Sequence, residues 1–390
     1  MKYPGKKRTS ARAVLILWSI AVILCLAEAG IGPGQDTPTA RVLKKWWPTK
    51  VPAGTGFVGR QVCVECHAGK VRTQQETSMG RALEPVANLQ ILAAHPRLTF
   101  RAGKYVYEIT RRDDQSFYTV TDGVNTLSVP VLYAFGQGKA GQTYVLRVND
   151  QFYESRLSFY NDIQGLDFTL GVPRKEPGSL AEALGRPISN DETLQCFSCH
   201  ATGAVSGNQL HLDKLMPGIS CEACHGPGGE HAAAGKAGQP NKDKIFNPGR
   251  LSGDELTQEF CAACHRGAEE VIVLPKQGGI NNVRFQPYRI FNSKCYSDDR
   301  RISCIGCHDP HEPLRQDAAF YDAKCLACHQ SKQKTAGSSP AGGHQTAPAC
   351  KVEIRNCTEC HMPKTELPTS HFMFTDHRIR IVRPGEQYPN

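Results

Sequence analysis

Seven times the chain reads Cys-x-x-Cys-His, starting at Cys63, Cys196, Cys221, Cys261, Cys304, Cys325 and Cys357. Two thiols separated by two residues reach the edge of one macrocycle. The imidazole beside the second thiol then falls beneath its centre, and the pattern is the attachment signature of a c-type haem. The predicted thioether pairs are Cys63 and Cys66, Cys196 and Cys199, Cys221 and Cys224, Cys261 and Cys264, Cys304 and Cys307, Cys325 and Cys328, and Cys357 and Cys360. The predicted iron ligands that follow them are His67, His200, His225, His265, His308, His329 and His361. Structural zinc draws four ligands, usually from paired units, whereas here the number of units is odd and each has His in the same place. A thioredoxin-like site would occur once, beside a βαβ pattern that the sequence lacks. The cofactor reading is therefore haem c, seven groups, covalently attached.

The chain has 14 His, so seven lie outside the motifs: His95, His211, His231, His311, His344, His371 and His377. Seven six-coordinate irons with two imidazoles each need seven second ligands, and imidazole suits low-spin, low-potential haem. His231 follows His225 across a Gly-Pro-Gly-Gly turn, and His311 follows His308 across Asp309-Pro310. His371 and His377 share the tail segment His-Phe-Met-Phe-Thr-Asp-His. His95, His211 and His344 complete the candidate set, the last two in polar, loop-like stretches. Met79 competes as a thioether ligand, against a plain packing role. Cys25, Cys295 and Cys350 are outside the motifs; the last two are read either as a disulfide or as free thiols.

The elements that must position these residues differ along the chain. Residues 1–29 read as a secretory signal peptide: Lys2, Lys6, Lys7, Arg8 and Arg12, an apolar run, then Ala27-Glu28-Ala29. An uncleaved membrane anchor is the alternative, although the run is short of the ~20 residues a span needs. Lipid attachment at Cys25 is disfavoured by bulky Leu24. Residues 30–56, with Trp46-Trp47, read as a flexible segment rich in Gly, Pro and Thr. Residues 57–96 form the first haem segment. Residues 97–172 hold no Cys and alternate apolar with polar residues, as at Tyr105, Tyr107 and Ile109, with turns expected at Asp113-Asp114, Asp122-Gly123 and Asn149-Asp150. This predicts a small antiparallel β insert of about four to six strands between haems 1 and 2. Residues 173–390 carry the other six motifs, spaced 25, 40, 43, 21 and 32 residues apart. The overall expectation is a mainly α chain with extensive loops, its core supplied by the macrocycles, because roughly 50 residues per haem cannot build one large conventional core.

The formal net charge of +9 does not mark a nucleic-acid protein. Loss of the signal would leave +5, and seven ferric haems with ionised propionates would bring the mature protein to about −2. Lys and Arg are read as partners of propionates or of redox proteins.

Beyond these patterns, the chain resembles multihaem cytochromes of the cytochrome c-554 type, in the wider group with pentahaem nitrite reductase and octahaem hydroxylamine oxidoreductase. The resemblance rests on Phe57-Val58-Gly59 before the first motif and on Ile219-Ser-Cys-Glu-Ala-Cys-His-Gly-Pro-Gly-Gly-Glu-His231. It extends to Gly136-Gln-Gly-Lys-Ala-Gly-Gln-Thr-Tyr144 in the insert and to Cys360-His-Met-Pro-Lys364 with Phe374-Thr-Asp-His-Arg-Ile379 in the tail. It implies a multihaem cytochrome c fold with His231 as a distal ligand. It implies no nitrite reductase, because no Cys-x-x-Cys-Lys occurs, and no Tyr matches the haem cross-link of the hydroxylamine enzymes. The expected function is an exported electron carrier, periplasmic or membrane-anchored, with redox proteins as partners. The rival is an oxidoreductase acting on a small nitrogen or sulfur oxyanion at one five-coordinate haem.

Overall fold

The computed structural model describes residues 56–239, 244–273, 278–297, 300, 302–329 and 350–389. The expected signal peptide, Cys25, the Trp46-Trp47 pair and His344 lie outside them.

The largest element is a nine-stranded antiparallel sheet, and this corrects the expectation of a mainly α chain with a small insert. Its strands are β1 (Leu83–Pro85), β2 (Arg97–Ala102), β3 (Tyr105–Arg112), β4 (Gln115–Thr121), β5 (Thr126–Phe135), β6 (Gln142–Val148), β7 (Gln151–Tyr160), β8 (Gly165–Phe168) and β9 (Gly185–Pro187). Strands β2 to β8 pair in sequence order, while β1 pairs with β5 and β9 with β7. Register shifts between Val131 and Tyr133 and between Thr143 and Val145 bend the sheet, as bulges do. It curls into a nearly closed barrel, and Phe100 of β2 meets Phe168 of β8 edge-on, ring centres 5.4 Å apart.

The strands form where side chains alternate. In β3 and β4 every second residue is buried, which places Tyr105, Tyr107, Ile109, Tyr118 and Val120 inside. Each buried large side chain contributes about 1.5–3 kcal/mol. Asp113 and Asn149 take left-handed backbone (φ 54° each) at two of the tight turns. At the third, the Asp122 carboxylate accepts the N–H groups of Val124 and Asn125. Two residues in the sheet are unusual for strands. Pro130 sits mid-strand, but where β5 passes from pairing with β4 to pairing with β6 and β1, so its missing N–H is tolerated. Strand β9 starts at Gly185, where any Cβ would stand 2.1 Å from the Glu154 carbonyl oxygen; only glycine allows that approach.

The barrel has a testable core. The Tyr144 hydroxyl is fully buried with no hydrogen-bond partner. Burying an unpaired polar group is costly, while removing it is nearly free. Tyr144→Phe is therefore expected to be neutral or to stabilise by about 1 kcal/mol. A clear drop in the thermal midpoint would show that the hydroxyl has a partner.

Outside the barrel the helices are short. They are α1 (Arg60–Gln75), α2 (Gln90–Ala94), α3 (Leu180–Leu184), α4 (Asn190–His200), α5 (Cys221–His225), α6 (Gly229–Lys236), α7 (Ala262–His265), α8 (Ala268–Val273), α9 (Gln286–Phe291), α10 (Lys294–Ser297), α11 (Cys304–Cys307), α12 (Ala318–His329) and α13 (Cys357–His361). None of the described helices is long and apolar enough to cross a membrane.

Candidate haem-binding sites

Each Cys-x-x-Cys-His copy sits in, or at the end of, a helix. That is the local requirement of the spacing: residues three and four apart share a helix face, so both thiols project to one side and the imidazole follows. Motif 2 closes α4, whose start is fixed by a reciprocal cap between Ser189 and Glu192. Motif 4 is entered through a π-helical stretch, Glu255–Cys261, a distortion often found at functional sites. Motif 1 lies inside α1, which kinks at His67 (φ −116°, ψ 34°).

Three motif imidazoles face a second imidazole from elsewhere in the chain. His67 and His231 have ring centres 6.4 Å apart with planes at 12°. His225 and His311 are 6.0 Å apart at 15°. His308 and His377 are 6.2 Å apart at 43°. Metal–imidazole bonds of about 2.0–2.1 Å, with the ring centre about 1.1 Å behind the nitrogen, set two trans imidazoles about 6.3 Å apart, centre to centre. Each of the three gaps would admit one iron held between the two rings.

The nitrogens point the same way. Nδ1 meets a carbonyl oxygen in His200 (Ala82, 2.9 Å), His225 (Phe246, 2.9 Å), His361 (Arg380, 2.8 Å) and His377 (Thr375, 3.0 Å). In His311 it meets the Asp309 carboxylate at 2.9 Å. An Nδ1–H donating to oxygen leaves the Nε2 lone pair for a metal and fixes the ring. Burial favours the neutral ligand form: it pushes His377 down to about 4 and lowers His200, His225, His265 and His308.

Thiols of different motifs also adjoin. Cys63 lies beside Cys221, Cys199 beside Cys264, Cys261 beside Cys304, and Cys325 beside Cys357. Motifs 1 and 3, 2 and 4, 4 and 5, and 6 and 7 therefore present their attachment points side by side.

The barrel holds motif 2. Phe197 of α4 packs against Tyr133, Phe135 and Phe152, and the His200 ring lies 4.5 Å from that of Phe135. His95 stays at the barrel, its ring 4.9 Å from Phe159 and its buried Nδ1 without a hydrogen-bond partner. His371, in left-handed backbone (φ 49°), places Nε2 2.9 Å from the Asp167 carboxylate of β8 and its ring against Tyr160. His211 lines a cleft with Arg147, Phe152 and Thr193. Among the described residues, none of these three stands 6.0–6.4 Å from a motif imidazole as the three pairs above do. Met79 is half-buried at the turn after α1, its carbonyl accepting the Ile219 N–H at 2.8 Å. Cys295 and Cys350 are free thiols; Cys350 is exposed, and Cys295 lies near Cys307, Cys325 and Cys328.

Three buried carboxylates organise these sites. Glu222, inside motif 3 and 2% exposed, accepts the backbone N–H of Val58 (2.9 Å), Gly59 (2.8 Å) and Gly228 (2.9 Å). It thereby pins the start of the motif 1 helix to the loop that delivers His231. Asp322 of α12 accepts the N–H of Asn356 and Cys357, 2.8 Å each, joining motifs 6 and 7. Asp376 pairs with Arg289 through both oxygens, at 2.8 and 2.9 Å, with both side chains fully buried. Breaking such a pair costs about 3–5 kcal/mol. Sequence reasoning passed over all three; an acid inside a Cys-x-x-Cys-His copy was the signal for Glu222 and one directly before a candidate ligand the signal for Asp376, while Asp322, three residues before Cys325, carried none.

Helical thiol pairs, each with its imidazole, and second imidazoles 6.0–6.4 Å from three of them are what a multihaem c-type cytochrome would present. The family model for cytochrome c554 and c-prime matches residues 174–226, which include motifs 2 and 3. The multihaem cytochrome MtrA of Shewanella baltica is 25% identical over 187 residues, 45% of this chain and 47% of that protein. Cytochrome c-554 of Nitrosomonas europaea is 32% identical over 87 residues, 19% of this chain and 35% of that protein. The chain thus spans half or less of each relative. The solved outer cell wall cytochrome OcwA aligns with 54% of this chain and 37% of its own, at 20% identity and a TM-score of 0.30, too low to compare folds.

Proposed function

We propose that the protein is an exported heptahaem c-type cytochrome that carries electrons along closely spaced haems, most with two imidazole ligands. The observation that carries this reading is the trio of imidazole pairs at 6.0–6.4 Å. In it, His231 would complete the iron of His67, His311 that of His225, and His377 that of His308. His95, His211, His344 and His371 remain for the irons of His200, His265, His329 and His361. His371 would first have to release Asp167 or ligate through Nδ1. Haem c supplies an iron that cycles between ferric and ferrous. The chain's own residues fix each imidazole, exclude water and set the local charge that tunes each potential. The adjoining thiols of motifs 1 and 3, 2 and 4, 4 and 5, and 6 and 7 support short steps between haems.

Export is supported by the residue 1–29 pattern, because c-type haem is attached outside the cytoplasm; the partners would be redox proteins of the periplasm or membrane. The test combines a pyridine haemochrome ratio with ferric EPR. A ratio near seven haems per chain and low-spin signals alone are expected. A ratio well below seven would overturn the count, and a major high-spin signal responding to nitrite, hydroxylamine or sulfite would replace the carrier by the oxidoreductase.

A further inference from the structure

We infer that Asp376 is a positioning residue that couples two haem sites, those of His308 and His361, through one tail segment. The inference rests on the haem reading above and adds a dependence between two of its irons.

The segment Asp376–Arg380 touches both sites. His377 places its ring 6.2 Å from that of His308. Three residues on, the Arg380 carbonyl oxygen accepts from His361 Nδ1 at 2.8 Å, and the Arg380 N–H donates to the His361 carbonyl at 3.2 Å. One residue therefore supplies the second imidazole of motif 5, and another orients the first imidazole of motif 7.

The Asp376 carboxylate is the buried charged anchor of the segment. The Asp376 carboxylate receives Arg289 Nε and Nη2 on its two oxygens, Arg380 Nη1 at 2.7 Å, and the Arg378 backbone N–H at 3.0 Å. The remaining Arg289 nitrogen donates to Asn282 Oδ1 at 3.1 Å and the Pro389 carbonyl at 2.8 Å. The Tyr388 hydroxyl donates to the same Asn282 oxygen at 2.7 Å, and its ring lies beneath the Arg289 guanidinium at 4.6 Å. Ser293 Oγ completes the frame, donating to the His377 carbonyl at 3.0 Å and accepting from the Ile379 N–H at 2.8 Å. Bidentate, charge-assisted contacts fix geometry as well as charge. Hydrogen bonds behind a ligating imidazole set its orientation and basicity. Asp376 acts on His377 through the adjoining backbone and on His361 through Arg380, so the two irons share one support.

The test uses holoprotein carrying Asp376→Asn, followed by potentiometric titration with EPR. His377→Met marks the signal of the His308 iron, and paired Cys357→Ala and Cys360→Ala changes remove the seventh haem and so mark its signal. Asp376→Asn removes the anchoring charge, leaves Arg289 uncompensated beside one site and loosens the Nδ1 contact of the other. Both midpoints are expected to move upward together, with the other haems unchanged. Arg289→Lys, which keeps the charge, should show the same two-site pattern at smaller amplitude. A shift at one site only, at neither, or equally at all haems would overturn the coupling. Failure of the underlying haem reading would show separately, in unmutated protein, as an absent seventh haem or a His308 iron lacking a low-spin signal.

Discussion

Chain made without haem attachment is expected to keep a folded barrel and lose most of the rest. The barrel owns the large conventional core: Leu89, Leu92, Tyr105, Tyr107, Ile109, Tyr118, Val120, Tyr144, Leu146, Leu157 and Phe159 are among the residues of one continuous buried cluster. The second cluster holds only Leu83, Phe197, Ala201 and Ala204, packed where motif 2 meets the barrel. Beyond these, the described segments from Cys221 onward bury scattered single residues such as Leu256, Val283 and Leu367. Short helices without a packed face are marginal in water. Far-UV circular dichroism of haem-free chain should retain strand signal and lose helical signal. Limited proteolysis should leave a core fragment close to residues 83–187. Protease resistance of the full length without haem would sink this account.

Replacement of His231 is expected to change one haem and leave the others in place. His231 lies past the Gly-Pro-Gly-Gly turn that Glu222 holds through Gly228, and it meets His67 at 6.4 Å. His231→Met would exchange imidazole for thioether and raise that haem's potential by a sizeable part of the ~0.8 V range that axial ligands command. His231→Ala should open the iron and turn one low-spin ferric signal high-spin. An unchanged EPR spectrum and redox titration in both variants would remove His231 from the coordination sphere. Because the site depends on a loop rather than on the barrel, the thermal midpoint of the barrel should not follow.

Much of the barrel was legible in part. The alternation at Tyr105, Tyr107 and Ile109, the chain reversals at Asp113-Asp114, Asp122-Gly123 and Asn149-Asp150, and the absence of Cys were all visible, because strands and turns are written in neighbouring residues. The size of the sheet was not. Strand β1 lies before the stretch read as β and β9 after it, each only three residues long, and pairing between residues as distant as Leu83 and Phe135 leaves no local trace. The mainly α expectation failed for the same reason: the six closely spaced motifs weighed more than the β insert, while strand pairings of long sequence separation built a large apolar core of their own.

The attachment motifs were set by sequence alone. Cys-x-x-Cys-His is a mechanical unit whose parts lie within one helical turn, so no tertiary information is needed to find it. The seven spare imidazoles were likewise countable, but only the fold decides which of them face a motif. Three come to bridging distance of an imidazole encoded 164, 86 and 69 residues away, and His371 is instead held by Asp167 of the barrel. The pairing of distant imidazoles is a long-range relation, held by backbone anchors such as Glu222 and Asp376. Those anchors work because they are buried beside particular N–H groups and guanidinium nitrogens, and burial is a property of the folded chain.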